Sequence, residues 1–355
     1  MSATTAPRHW LLRTPGETVA LRLPVRALLV ALLLVVLVLA VAATSLATGS
    51  YGVTFDQLFE TLRGMSVSRA IDNVVWEFRF PRTLASILVG AMMALSGAAL
   101  QNVTRNGLAD PSLVGVSQGA ALAVVALTVA FPGLGPGLRP WAAFAGSILV
   151  AVLIQTLSHT RQGGSAIRFI LMGIGVAAFI SSITSALMTY GEIDRAMAAL
   201  AWLSGSINAA SWNDVWVLAG WSIVLLPLLL VMSRTMAVMS MGEAAAVGLG
   251  APVRLVRYGL VAVAVGFAAI ATSVVGPLGF VGLIAPHAAR RMAHAGMALH
   301  LILTALTGAF LVSAADLLGR ALFAPIQIPA GLVTSLIGVP VFIVLLGRAR
   351  AASSQ

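Results

Sequence analysis

Long apolar runs recur along this chain, separated by short polar stretches rich in Gly, Pro and Arg. The first run, Leu28–Ala47, follows Arg22 and Arg26. A secretory signal core is about 7–15 residues and a membrane span about 20, so this run predicts a retained helix. Further spans are predicted near 83–103, 113–131, 141–158, 167–190, 213–232, 255–275, 278–292, 299–318 and 331–347. The segment 278–292 is short and is bracketed by Pro277 and Pro286. The fold class expected is an all-α membrane protein of about ten transmembrane helices. An even number of crossings places both termini on one side. The organisation expected is an N-terminal cytoplasmic segment 1–26, one membrane domain 27–350 and a tail 351–355.

Composition agrees with this reading. The chain has 355 residues, 59% of them hydrophobic and 9% charged, with a mean hydropathy of +1.01. A soluble domain carries about 25% charged residues. Cysteine is absent, which excludes disulfides, iron–sulfur clusters and thiolate zinc sites. All 21 basic residues are arginine, so the lysine of a Walker A loop is missing and any ATPase must be another polypeptide. With the N-terminus inside, fourteen of the 21 arginines fall on the cytoplasmic side, among them Arg8, Arg161, Arg254, Arg290 and Arg348. That bias sets the orientation and accounts for the net charge of +10 without nucleic acid.

Small residues recur at helical spacing within the spans. Gly90, Ala94 and Ala98 stand four apart, as do Gly173, Ala177, Ser181 and Ser185. Such stripes let helix backbones approach closely in lipid. The second stripe also suits a pathway lining, because Ser182 and Thr184 add hydroxyls beside it. Spans two to five and seven to ten run in opposite directions, each set with a proline-broken segment after its first helix, a pattern consistent with an inverted repeat.

Three polar elements stand out. Arg79-Phe-Pro-Arg82 enters the second span from outside, and Arg320 offers the same surface a third cation. These arginines either snorkel to lipid headgroups or dock carboxylates of an external partner. Asp316, four residues before Arg320, is placed to pair with it. Asn106-Gly107-Leu108-Ala109-Asp110-Pro111 forms an elbow at the inner end of span two, read either as a tight loop or as a cytoplasmic gate. The longest inner loop, Ser233–Arg254, carries Met236, Met239, Met241, Ala244 and Leu249, too apolar for a free solvated loop. Gly242, Gly248 and Gly250 divide it into one or two short helices, with Glu243 as a polar contact for a docking partner. The five histidines are scattered, the 13 methionines read as packing, and no nucleophile–base pair is visible.

The run Arg79-Phe-Pro-Arg82, LVGAMMALSGAALQ and RNGLADPSLVGVSQGA resembles the FecCD-type permeases of bacterial ABC importers. So do Gly276-Pro-Leu-Gly-Phe-Val-Gly-Leu-Ile-Ala-Pro-His287-Ala-Ala-Arg290, Ala315-Asp316 and Ile328-Pro-Ala-Gly-Leu-Val-Thr-Ser-Leu-Ile-Gly-Val-Pro340. The resemblance implies the type II importer permease fold: ten helices per subunit, two permease subunits around a central path, two cytoplasmic ATPases and a periplasmic or lipid-anchored binding protein. It implies binding-protein docking at Arg79, Arg82 and Arg320. It further implies ATPase coupling through Met241, Gly242, Glu243, Ala244, Gly248, Leu249 and Gly250. Asn106, Leu108 and Asp110 fall at the inner gate, and Gly173, Ala177, Ser181 and Ser185 on a pathway-lining helix. Gly107 departs from the family's usual proline and makes the elbow looser. The stretch Trp202–Asn208 with Ser211-Trp212 is similar to the siderophore branch, which favours a ferric siderophore over haem or vitamin B12. The implied location is the bacterial inner membrane. No cofactor or metal is expected on this chain, with ATP and Mg on the partner ATPase. An ion-driven carrier would need ionisable groups deep in the spans, and an intramembrane protease a paired site; neither pattern is present.

Overall fold

The computed structural model describes residues 9–13, 20–49, 51–65, 68–131, 133–159, 166–323 and 326–353. Arg8 and Arg161, counted above for orientation, and residues 354–355 of the tail lie outside them. A short antiparallel hairpin, β1 (His9–Arg13) with β2 (Ala20–Pro24), precedes the helices and corrects the purely α-helical expectation. Its register runs from His9 opposite Pro24 to Arg13 opposite Ala20.

The helices follow in order: α1 (Val25–Ala47), α2 (Phe55–Leu62), α3 (Arg69–Asn73), α4 (Phe80–Thr104), α5 (Val116–Val125), α6 (Arg139–Ser158), α7 (Ala166–Tyr190), α8 (Ile193–Leu203), α9 (Trp212–Met239), α10 (Glu243–Gly248), α11 (Val253–Val275), α12 (Val281–Met292), α13 (Met297–Ala321) and α14 (Ala330–Ser353). Wider π-helical turns, Val74–Arg79 and Ala126–Ala130, continue α3 into α4 and extend α5. Every one of the ten predicted spans coincides with one of these helices. Seven of the helical stretches are long and apolar enough to cross a membrane. The other three positions hold two shorter apolar segments, Val116–Ala130 and Ala330–Val344, and the twelve-residue helix Val281–Met292, whose last turn carries Arg290 and Arg291.

Helix α4 is the centre of the bundle, packed by α13, α11, α12 and α9. Its burial follows from its small residues. At Gly90 and Ala94 the helix meets Gly308 of α13, and a Cβ at either glycine would enter the other's backbone carbonyl. At Gly97 it meets Gly282 of α12 in the same way, and Gly119 of α5 meets Gly146 of α6. Lipid offers no hydrophobic drive between helices, so close backbone contact of this kind holds them together. The Gly90–Ala94–Ala98 stripe is therefore a packing surface. Helices α1, α7 and α9 instead expose leucines, isoleucines and aromatics such as Leu32, Phe179 and Ile223.

The inner loop is shorter than the sequence reading had it. Residues 233–239 continue α9, because Ser233, Met236 and Met239 fall on its buried face. Two regions of irregular backbone join inside the protein. Ser206 N–H donates to the Val275 carbonyl at 2.8 Å, and Gly331 N–H to the Gly205 carbonyl at 2.9 Å. Gly205 and Gly276 both have positive φ there, and a side chain on either would strike the other strand of the junction. Breaks in helices at membrane depth persist where protein satisfies the freed groups, and here it does.

Replacing Gly97 with leucine should drive α4 and α12 apart and remove the monodisperse peak in size-exclusion chromatography. Gly137→Ala, at a position with open space around it, should leave that profile unchanged.

Candidate functional site

The two ends of α4 carry the polar chemistry. At its N-terminal end, a π-helical turn and Pro81 lead Arg79 and Arg82 into the bundle rather than out of it. Arg79, Arg82 and Arg320 are only 5%, 8% and 7% exposed. This corrects the expectation that they present free guanidinium groups to an external partner.

Their hydrogen bonds explain the burial. Arg79 donates to the carbonyls of Leu46 at 2.7 Å, Ala47 at 3.0 Å and Tyr51. Arg320 donates to the carbonyls of Ser45 at 2.6 Å and Thr48 at 2.9 Å, and to the Ser45 hydroxyl. These acceptors are the last carbonyls of α1 and the turn after it, which have no partner within the helix. Cations there also meet the negative end of the helix dipole. Gly49 leaves room for the Arg79 guanidinium, which a Cβ would touch at 2.7 Å.

Arg82 forms the second half of the cluster. Its Nε lies 2.9 Å and its Nη2 2.8 Å from the two oxygens of Asp316, a bidentate pair. Its Nη1 donates to Asn208 Oδ1 at 2.6 Å and Gln327 Oε1 at 2.9 Å. Arg320 stands farther from Asp316, at 3.9 Å, so the carboxylate expected to serve Arg320 belongs first to Arg82. Ser45, Thr48, Asn208 and Gln327 were not singled out as site residues. No local pattern marks them, because they come from three separate parts of the chain.

At the other end of α4, Arg105 adopts a left-handed conformation (φ 51°) and closes the helix. The elbow that follows is held firmly. Asn106 Oδ1 accepts from Leu108 N–H at 3.0 Å, and Asp110 Oδ1 from Ser112 N–H at 3.0 Å, capping the 3-10 turn Pro111–Val114. Leu108 packs with Phe280, Leu283 and Phe342. Gln101 donates to the Gly282 carbonyl at 3.3 Å and accepts from Arg290 at 3.3 Å. Leu108 and Asp110 thus sit against α12, Asn106 bonds within the elbow, and Gly107 has open space around it.

Next to this elbow lies α10. Gly242 (φ 119°) and Gly250 (φ 76°) turn the chain in and out of it, which side-chain-bearing residues would do only under strain. Glu243 bonds Arg257 of α11 at 2.8 Å and stands 3.9 Å from Arg105. Ala246 is buried beneath the helix, while Met241 is 70% and Leu249 67% exposed, with Ala244 and Gly248 exposed beside them. The expected polar plug residue Glu243 is therefore engaged within the chain, and the outward face is apolar. On α7, Gly173 is buried, Ala177 half-buried, and Ser181 and Ser185 exposed. The stripe leaves the bundle along the helix and ends on the subunit surface.

Two outcomes test these assignments. Arg82→Ala leaves Asp316 buried without its bidentate partner, which costs about 3–5 kcal/mol, while Arg82→Leu with Asp316→Leu should recover most of the lost unfolding temperature. An arginine acting only on an external partner would leave that temperature unchanged. Burial holds the Asp110 carboxyl above the ordinary range, against hydrogen bonds from Ser112 and Leu283. A raised folded-state pKa means that this group's stability is full at low pH and falls as pH rises through that value. Asp110→Asn keeps the acceptor without the charge, so its gain in unfolding temperature should be larger near about pH 8 than near about pH 5.

Comparison with known proteins covers the whole of this architecture. The profile of the FecCD transport family matches residues 23–348. The Fe(3+)-citrate import system permease protein YfmE of Bacillus subtilis (strain 168) is 35% identical over 90% of this chain and 95% of its own length. The iron(3+)-hydroxamate import system permease protein FhuG of the same organism is 40% identical over 78% of this chain and 84% of its own. A solved metal-chelate type ABC transporter in an inward-facing conformation superposes with a TM-score of 0.78 at 26% identity, over 90% of this chain and 99% of that one. A lysine-free bundle of apolar helices with an exposed apolar helix α10 thus belongs, with these relatives, to the FecCD transport family of ABC-importer permease subunits.

Proposed function

We propose that this chain carries a ferric siderophore across the bacterial inner membrane by alternating access, as one of two permease subunits worked by two ATP-hydrolysing partners. Ten crossings with both termini in the cytoplasm fit the helix order and the arginine distribution. The observation that carries the reading is α10. It is a six-residue helix whose apolar residues point away from the bundle, fixed to α11 and α4 by Glu243. An exposed apolar helix of this kind fits a partner's groove. Motion imposed on it reaches α4 through Arg105, and α12 through Gln101 and the elbow.

In this reading Asn106, Leu108 and Asp110 form the inner gate and move together with α12. The exposed Ser181 and Ser185 line the path where two permease subunits meet. A loaded binding protein docks at the opposite end. Arg79, Arg82 and Arg320 serve that surface by holding α1, α4, α13 and the 204–211 loop in one platform. Iron stays inside its chelator throughout, so it is cargo and needs no protein ligands. A siderophore is favoured over haem or vitamin B12 because the relatives named above are described as importing ferric citrate and ferric hydroxamate.

Leu249→Asp with Met241→Asp puts two charges on the exposed face without touching the core. The expected result is loss of the co-purifying ATPase and at least about a tenfold fall in ATP-dependent ferric-siderophore uptake into proteoliposomes. Uptake at the wild-type rate would refute the assignment of α10.

A further inference from the structure

Beside the elbow, at the α10 end, an open cavity of about 560 Å³ lies between the ends of α4, α9 and α12 and the start of α13. That volume is in the range of small-molecule sites, about 300–1,000 Å³. Its polar lining is Gln101, Asn102, Arg105, Ser240, Arg290, His294 and His300. No aspartate or glutamate lines it. Two guanidinium groups and two imidazoles therefore line one cavity with no acid among them.

The charges there are poorly compensated. Arg290 bonds only the neutral Gln101 amide oxygen, at 3.3 Å, and has no salt bridge among the described residues. Arg105 reaches the single carboxylate nearby, Glu243, at 3.9 Å, and that carboxylate is already bonded to Arg257 at 2.8 Å. His300 is 8% exposed, and its Nε2 has no hydrogen-bond partner. Buried polar groups are normally satisfied, so the unpartnered His300 Nε2 and Asn102 Oδ1 at this basic cavity mark a place where a polar ligand is missing. Guanidinium groups bind oxyanions by charge-assisted hydrogen bonds, which are stronger than neutral ones.

We infer that this cavity is a binding site for a small oxyanion, a polycarboxylate or a phosphate, held by Arg105 and Arg290 with His294 and His300 as further donors. The site is separate from the exposed α10 face, and occupancy would add a negative charge between α4, α12 and α13, next to the elbow. It does not depend on which solute the protein carries.

The probes are citrate and inorganic phosphate, titrated calorimetrically against the full chain in lipid nanodiscs without nucleotide. Gly296 is the informative position. It lines the cavity at the N-cap of α13, and a Cβ there meets nothing within 4 Å. Gly296→Asp therefore adds a carboxylate to the cavity wall while supplying a favourable helix cap, so the fold and its unfolding temperature should be retained. Citrate binding in the wild type should weaken as salt rises, fall at least about tenfold in Arg290→Gln, and be lost in Gly296→Asp. Tighter binding of citrate than phosphate identifies a polycarboxylate site, and equal binding a single-oxyanion site; either supports the inference. Absence of binding by both probes at millimolar concentration overturns it. So does citrate binding that Gly296→Asp leaves unchanged.

Discussion

The structure depends on how the end of one helix is satisfied. The last carbonyls of α1 have no helical partner, and they lie inside the bundle rather than in water. Arg79 from α4 and Arg320 from α13 donate to them, so the free end of one helix becomes the junction of three. Three guanidinium groups and only one carboxylate meet there, an arrangement that would be costly if the carbonyl dipoles did not share the charge. Arg82 and Asp316 then tie in Asn208 and Gln327, which brings the start of α9 and the approach to α14 to the same point. Without that cluster, α1 would have only its apolar face to hold it to α13.

The same requirement explains the rest of the interior. Where α11 ends and α12 begins, the free Val275 carbonyl is taken up by Ser206. Where α4 ends, Gln101 bonds the carbonyls around Gly282 and accepts from Arg290. Glycines at 90, 97, 282 and 308 bring α4 against α13 and α12 at backbone contact. A bundle so closely packed transmits movement well, because there is little space in which a displacement can be absorbed.

Helix α4 joins the two ends of the molecule. Its first turn carries Arg82 of the arginine cluster, and Arg105, which caps its far end, stands 3.9 Å from the carboxylate that fixes α10. A permease has to relate events on one side of a membrane to events on the other. A buried helix held by glycine contacts along its length suits that task better than a lipid-facing one. Helices α1, α7 and α9, with their exposed leucines and isoleucines, provide an apolar surface suited to lipid.

Much of this was legible in the order of residues. Apolar run length located a helix at each of the ten expected spans, and the absence of lysine excluded a P-loop on this chain, because both are properties of local composition. The Gly242 and Gly250 turns and the apolar face of α10 were legible for the same reason. The N-terminal hairpin was missed, and Met236 and Met239 were assigned to a loop although they complete α9. The arginines show the limit most clearly. Spacing placed Arg79, Arg82 and Arg320 near one membrane face, but a guanidinium at that depth can face out or in. Only the tertiary structure decided this, because the acceptors at Ser45, Leu46, Thr48, Asn208, Asp316 and Gln327 lie far apart in sequence and meet only when the helices pack. Sequence by itself determined which segments leave water; the packed structure determined which polar groups they carry with them and what satisfies those groups.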